Sequence, residues 1–137
     1  MRPAALLASI LAFAVVGPAG PWAPVAHAGP EEEAARQLQF ARDELERRDY
    51  ERAVRSAESA FRLNPILYDA LVVKALAYHG LGNSELALTL LGAYHELAPN
   101  GRAKEEAQQA EATIRADMDA AREEEARRGP GVIKRVD

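Results

Sequence analysis

The amino-acid sequence predicts an all-α protein, made of two tandem helix–turn–helix repeats and a long C-terminal capping helix, as a fragment of an α-solenoid. Apolar and proline residues recur with a period of 34 positions, which a helical hairpin array requires. Hydrophobic residues, many of them alanine, make up 48% of the chain and aromatic residues only 6%. That composition suits closely packed helices and not strands, which favour β-branched and aromatic residues. The third observation is a stretch from 102 to 128 without proline or glycine.

The N-terminal segment reads as an export signal. Arg2 precedes a charge-free apolar run from 4 to 16, and the small residues Ala26 and Ala28 flank one position, as a signal peptidase requires. We therefore expect residues 1–28 to be a signal peptide that is removed after Ala28. The alternative, an uncleaved membrane helix, needs about 20 apolar residues, and the glycines and prolines that follow end this run too early. The mature protein is expected to be periplasmic or extracellular, without membrane insertion.

A short leader, residues 29–33, precedes the repeats. Its triplet Glu31–Glu33 is favourable near a helix N-terminus, where the helix dipole attracts negative charge. The repeats are assigned to residues 34–67 and 68–101. Four pairs of residues carry the period of 34 positions: Pro65 with Pro99, Leu63 with Leu97, Ala53 with Ala87, and Ala41 with Ala75.

Each repeat has the anatomy of a helical hairpin. In the first, we expect helices over 34–48 and 50–63, with a turn near Asp49. Asn64 ends the second helix because the residue before a proline is pushed out of helical geometry.

The second repeat predicts helices over 68–81 and 84–98, separated by a turn at Gly82 and Asn83. Ser84 is a suitable N-cap for the later helix. The sequence Pro99-Asn100-Gly101 then stops it.

The chain resembles the tetratricopeptide repeat (TPR) family. The family's signature is an aromatic, then Leu-Gly, Tyr, Ala, an aromatic and finally Pro. At those offsets the second repeat has Leu71, Lys74, Ala75, Tyr78, Ala87, Leu91 and Pro99. The first repeat has Gln37, Phe40, Ala41, Glu44, Ala53, Ala57 and Pro65 there. Gln37 and Glu44 depart from the bulky residues of the family, which predicts that this helix packs less tightly or faces solvent at the end of the array.

We expect small residues to lie where helices cross closely, so that ridges of one helix meet grooves of the next. The residues assigned to repeat packing are Ala41, Ala53, Ala60, Pro65, Ala75, Tyr78, Ala87 and Pro99. Phe40, Phe61 and Leu91 are expected to fill the space between them.

Residues 102–128 predict one long helix, with Asn100 as a possible cap for its start. Its thin apolar stripe consists of Ala103, Ala107, Ala110, Ile114, Met118 and Ala121. We expect the first half to close the array, as terminal capping helices do, and the half from Arg122 onward to project into solvent. The alternative is a degenerate third repeat, but no glycine or asparagine marks a turn between 114 and 119. Residues 129–137 are expected to form a flexible tail.

The resemblance implies that the first helix of each repeat lines a groove for a peptide. By offset, the candidate groove residues are Ala35, Leu38, Arg42, Leu45, Asp69, Val72, Leu76 and His79. Apolar side chains such as Leu38, Val72 and Leu76 at an open surface suggest a protein partner. The alternative is that the N-terminal residues or the C-terminal helix pack across this face.

Catalysis and cofactor binding find no support in the sequence. The chain has no cysteine, so disulfides, thiolate metal sites and a cysteine nucleophile are excluded. His79 and His95 have no matched ligand spacing, and the net charge of −4 argues against nucleic-acid binding. We therefore expect a non-catalytic protein-interaction module without a cofactor, a scaffold or adaptor in the cell envelope. The alternative is a structural, self-associating repeat protein, so a homo-oligomer is possible.

Overall fold

The computed structural model describes residues 29–129, which form five α-helices and no strand. The helices are α1 (Pro30–Glu46), α2 (Tyr50–Leu63), α3 (Asp69–Gly80), α4 (Ser84–Leu97) and α5 (Lys104–Arg128). The predicted all-α fold class, a helical-repeat arrangement, is confirmed. The predicted signal peptide, with Ala26 and Ala28, and the tail beyond Gly129 lie outside the described residues.

The first hairpin begins earlier than the sequence predicted. Pro30 starts α1, because its fixed φ suits the first helical position and its missing N–H has no partner to lose there. Glu31–Glu33 therefore lie in the first turn of α1 and not in a separate leader. Arg48 adopts a left-handed φ of 61° in the turn, and the carboxylate of Asp49 accepts a hydrogen bond from the amide of Arg52 to cap α2.

The second hairpin turns at Gly82, whose φ of +85° is a conformation that favours glycine. The N-cap of α4 is Asn83, whose side-chain oxygen accepts a hydrogen bond from the amide of Leu86 at 3.2 Å. The predicted cap, Ser84, is instead the first helical residue. Asn83 is the cap because it lies one position before Ser84, where its side-chain oxygen faces the free amides of the first helical turn.

Small residues occupy the helix crossings. Ala41, Ala53, Ala60, Ala75 and Ala87 are all fully buried. Because these side chains are small, neighbouring helices can approach closely. The largest side chains of the core are Leu91 and Tyr94, which are also fully buried.

The larger residues differ in how they meet the packing prediction. Tyr78 is half-buried and packs against two of the core clusters, whereas Pro65 and Pro99 are exposed just beyond the ends of α2 and α4. Phe40 is 48% exposed and so does not fill the space between the helices. Its neighbour Ala41 faces the core in its place, because a helix turns successive residues to different faces.

The C-terminal helix α5 is one continuous helix of 25 residues, about 38 Å long at 1.5 Å per residue. Ala107, Ala110 and Ile114 are buried in one cluster with α3 and α4. From 119 onward every described residue is exposed, so the first half closes the array and the second half projects into solvent. Asn100 does not cap this helix, since the N-cap is Ala103 and no side chain bonds to it.

The N-terminal end of the array is polar where a further repeat would stack. On α3, Ala70, Val73 and Ala77 are buried in clusters shared with α2. The residues 34 positions earlier on α1 are Arg36, Gln39 and Asp43. These side chains are polar, whereas Phe40 on the same face is 48% exposed. The outer face of α1 is therefore mostly polar, unlike the apolar face of α3 that packs against α2.

The same comparison holds at the other end. Leu71 and Ala75 pack in the cluster that joins α3 to α4, whereas their counterparts on α5, Glu105 and Gln109, are exposed. Helix α5 therefore stands where the first helix of a third repeat would begin but lacks the face for a companion helix. Within residues 29–129, both ends of the helical array therefore carry mainly polar residues.

Candidate functional site

The face predicted to be the groove forms an open cleft between α1, α3 and the start of α5. Its volume is about 390 Å³. We call it the repeat cleft; its lining residues are Ala35, Leu38, Gln39, Arg42, Leu67, Asp69, Arg102, Ala103 and Glu106. The structure thus brings four of the eight candidate groove residues together, namely Ala35, Leu38, Arg42 and Asp69.

The other four candidates lie differently. Leu76 and His79 line a second, smaller cleft of about 250 Å³ between α3 and α5. Val72 is fully buried in the cluster that α3 shares with α4 and α5. Leu45 is half-buried and packs against the clusters formed by α1, α2 and α3. The sequence left open that the C-terminal helix packs across the groove. It does so over the α3 part of the predicted groove, and the part beside α1 stays open.

The lining residues on α5 were missed, although the period contains them. Ala103, Glu106, Ala110 and Thr113 lie 34 positions after Asp69, Val72, Leu76 and His79, respectively. All four line one of the two clefts. Extending the repeat register into α5 would have found them, because the helix occupies the place of a third first helix even though its sequence lacks the repeat signature.

An ion pair separates the two clefts. Arg42 on α1 donates two hydrogen bonds to Glu106 on α5, from Nη1 to Oε1 at 2.9 Å and from Nη2 to Oε2 at 3.1 Å. The carboxylate of Glu106 lines both clefts. This forked pairing is the strong geometry for arginine and a carboxylate, and here it bridges the mouth of the groove from the first helix to the last.

A second ion pair lies at the rim of the repeat cleft. Arg102 donates from Nε at 3.3 Å and from Nη2 at 3.1 Å to the same oxygen, Oδ2, of Asp69. The Asp69 side chain is only 14% exposed, whereas that of Arg102 is 83% exposed. Asp69 is the first residue of α3, where the helix dipole also favours its negative charge.

The hydroxyl of Tyr94 lies behind this rim. The residue is fully buried, and within residues 29–129 its hydroxyl has no hydrogen-bond partner. The Tyr94 ring lies against Gly101, where a side chain larger than hydrogen would clash with it. Burial raises the pKa of Tyr94 above its ordinary value, and the carboxylates of Asp69 and Glu106 raise it further.

Both histidines of the described residues join α5 to the repeats. His79 on α3 hydrogen-bonds through Nδ1 to the hydroxyl of Ser84 at 2.9 Å and through Nε2 to Asp117 at 3.0 Å. His95 on α4 lies 3.3 Å from Glu111. The Asp117 side chain is 59% exposed, just before the projecting part of α5, so this contact between α3 and α5 is largely solvated. The sequence could not show it because the partners are 38 residues apart.

Two further observations concern the part of the chain that the structure describes. No group of three or more metal-ligating side chains comes together within residues 29–129. None of the helices α1 to α5 has the length and apolar character that crossing a bilayer demands.

Comparison with known proteins returned no significant match: no family model, no curated protein and no solved structure resembles this chain closely enough to be counted.

Proposed function

We propose that this protein is an exported helical-repeat module of the TPR type that binds a segment of a protein partner in the repeat cleft, and so acts as a scaffold or adaptor in the cell envelope. The observation that carries the proposal is the cleft itself. It lies between α1, the start of α3 and the start of α5, and combines apolar side chains, such as Leu38 and Leu67, with ion pairs at its rim.

The shape of the cleft supports a short segment as ligand. A volume of about 390 Å³ accommodates a few side chains and not a folded domain. An apolar floor with a small number of placed polar groups is typical of a binding site. The floor supplies affinity by burial, and the ion pairs select the register of the bound chain.

A site-specific photo-crosslinker tests the proposal. The crosslinking amino acid replaces Ala35, which is exposed and lines the repeat cleft. The matched control places it at Ala112, an exposed alanine of α5 that lines neither cleft. We expect the Ala35 derivative to capture a defined protein in the native envelope and the Ala112 derivative not to do so. Equal capture at both positions, or none at Ala35, would refute the proposal.

Export is tested separately. The protein expressed in its native host is purified from the periplasm and the medium, and its N-terminus is sequenced. We expect it to begin at Gly29, because Ala26 and Ala28 provide the small residues that a signal peptidase needs. Recovery of the intact chain from the cytoplasm alone would contradict the prediction.

A further inference from the structure

The ion pair at the rim of the repeat cleft is asymmetric. Asp69 is held at the start of α3 with its side chain 14% exposed, whereas the Arg102 side chain is 83% exposed in the turn before α5. An exposed arginine loses little when it leaves such a pair, since water solvates it well. The carboxylate of Asp69 is held near the rim, since its residue begins α3 and its side chain is largely buried. The cleft therefore contains a fixed anion whose present cation is exchangeable.

Charge favours a cationic occupant. The full chain has a net charge of −4, so a basic segment is attracted to it at a distance. Leu38, Leu67 and Ala103 line the same cleft as Asp69 and contribute apolar side chains. The complementary ligand is an extended segment in which one lysine or arginine lies between apolar residues.

The tail segment that follows α5 has this chemistry. It reads Val132-Ile133-Lys134-Arg135-Val136. In an extended chain alternate side chains point to one side, so Val132, Lys134 and Val136 would share a face. That face carries one cation between two valines, as the repeat cleft requires.

The tail cannot reach the cleft of its own chain. The cleft lies beside Glu106, near the start of α5, and from there the helix runs 22 residues to Arg128, about 33 Å at 1.5 Å per residue. The six residues from Arg128 to Lys134 span at most about 21 Å when fully extended. With α5 intact, only the cleft of another molecule is accessible.

We propose that the tail segment of a second copy of this chain binds in the repeat cleft, with the ammonium group of Lys134 on the carboxylate of Asp69 in place of Arg102. This inference rests on the proposed function of the cleft and names its occupant. Val132 and Val136 then lie against the apolar floor. Because each copy offers both a tail and a cleft, two copies that exchange tails form a closed dimer in which every contact is made twice.

The test is the sedimentation of the full chain over a range of concentrations. We expect a reversible dimer whose dissociation constant rises about tenfold on Asp69→Asn and on Lys134→Glu. The control variant Asp119→Asn removes a carboxylate that is 69% exposed on α5 and leaves the dimer unchanged. A synthetic peptide of residues 129–137 dissociates the dimer, and the same peptide with Lys134→Glu does not.

A charge swap separates recognition from a fold defect. Asp69→Lys and Lys134→Asp each abolish the dimer, and the variant that carries both restores it. A chain that stays monomeric at high concentration, or a dimer that neither Lys134→Glu nor the peptide affects, would overturn the inference. Capture of a different protein at Ala35 by a monomeric chain would likewise reject the tail as occupant, yet it would leave the proposed function standing.

Discussion

Arg42 and Glu106 form a forked ion pair across the mouth of the groove, although 64 positions separate them in the sequence. The pair joins α1 to α5. Since both side chains are about one-third exposed, the charges are partly solvated and the pair contributes little to the stability of the fold.

Breaking this pair is expected to have a small effect on stability. For Arg42→Ala and Glu106→Gln, a double-mutant cycle from urea unfolding should give a coupling free energy below about 1 kcal/mol, because the charges are solvated. The coupling should fall further at about 1 M salt, where screening acts within a few ångströms. The control is the same cycle for Arg122 and Asp119, which are more exposed. A coupling of several kcal/mol would show that α5 depends on the pair for its docking.

The docking of α5 depends instead on Ile114. Ile114→Ala should lower the free energy of unfolding by about 2–5 kcal/mol, because it leaves a cavity among fully buried side chains. Ile66→Ala is the matched control, since Ile66 is 72% exposed and its truncation should change stability by less than about 0.5 kcal/mol. Urea unfolding followed by circular dichroism measures both. Equal losses would mean that α5 does not pack as described.

Two glycines should respond to alanine in opposite directions. Gly101→Ala places a methyl group against Tyr94 and Ala98 and should destabilise the fold by about 1–3 kcal/mol. Gly92→Ala lies on an exposed face of α4 with no atom within 4 Å of the new methyl group. It should stabilise the fold by about 0.5–1 kcal/mol, because alanine loses less chain entropy in a helix. Thermal unfolding of the two variants tests the sign of each change.

Tyr94 predicts a stability change at high pH. Its pKa in the folded chain is raised above the ordinary value of 10.0, chiefly by burial. As the pH rises past that value the unfolded chain loses the proton first. Stability is therefore full below pH 10 and falls as the pH rises, with a slope of up to about 1.4 kcal/mol per pH unit. Tyr94→Phe should remove this slope and, at neutral pH, cost under about 1 kcal/mol, since it removes a hydroxyl with no partner in the described residues. Urea unfolding between pH 8 and 11 decides; an unchanged slope would contradict the assignment.

The cap of α4 can be assigned by two substitutions. Asn83→Ala should cost about 1 kcal/mol, because it removes the acceptor of the Leu86 amide. Ser84→Ala removes only the contact with His79 and should cost less. The reverse order, measured by urea unfolding, would restore Ser84 as the cap.

Local signals in the sequence predict where most of the helices begin and end. The predicted bounds of α2, 50–63, agree with Tyr50–Leu63, because the Asp49 cap and the Asn64-Pro65 stop act within a few residues. Helix α5 is continuous for a local reason as well, since no glycine or asparagine interrupts residues 114–119. Helix α1 begins four residues before the predicted start at 34, because Pro30 is well suited to the first helical position.

Local patterns in the sequence do not show which part of the predicted groove stays open. Leu38 and Val72 are apolar residues at equivalent positions 34 apart. Leu38, at 8% exposure, still lines the open cleft, whereas Val72 is fully buried. The difference arises from α5, whose alanines pack over α3 and not over α1. A stripe of small side chains specifies that a helix has an apolar face but does not specify where that face will dock.

The sequence by itself therefore determined the period of 34 residues, the all-α class and most helix bounds, since each rests on contacts within a turn or a hairpin. Only the tertiary structure decided which part of the predicted groove stays open and which charges meet there. Asp69 pairs with Arg102 and Arg42 with Glu106 because the docking of α5 brings distant residues to one rim. Such contacts depend on the sum of many weak burial terms over the whole chain, and no local pattern encodes them.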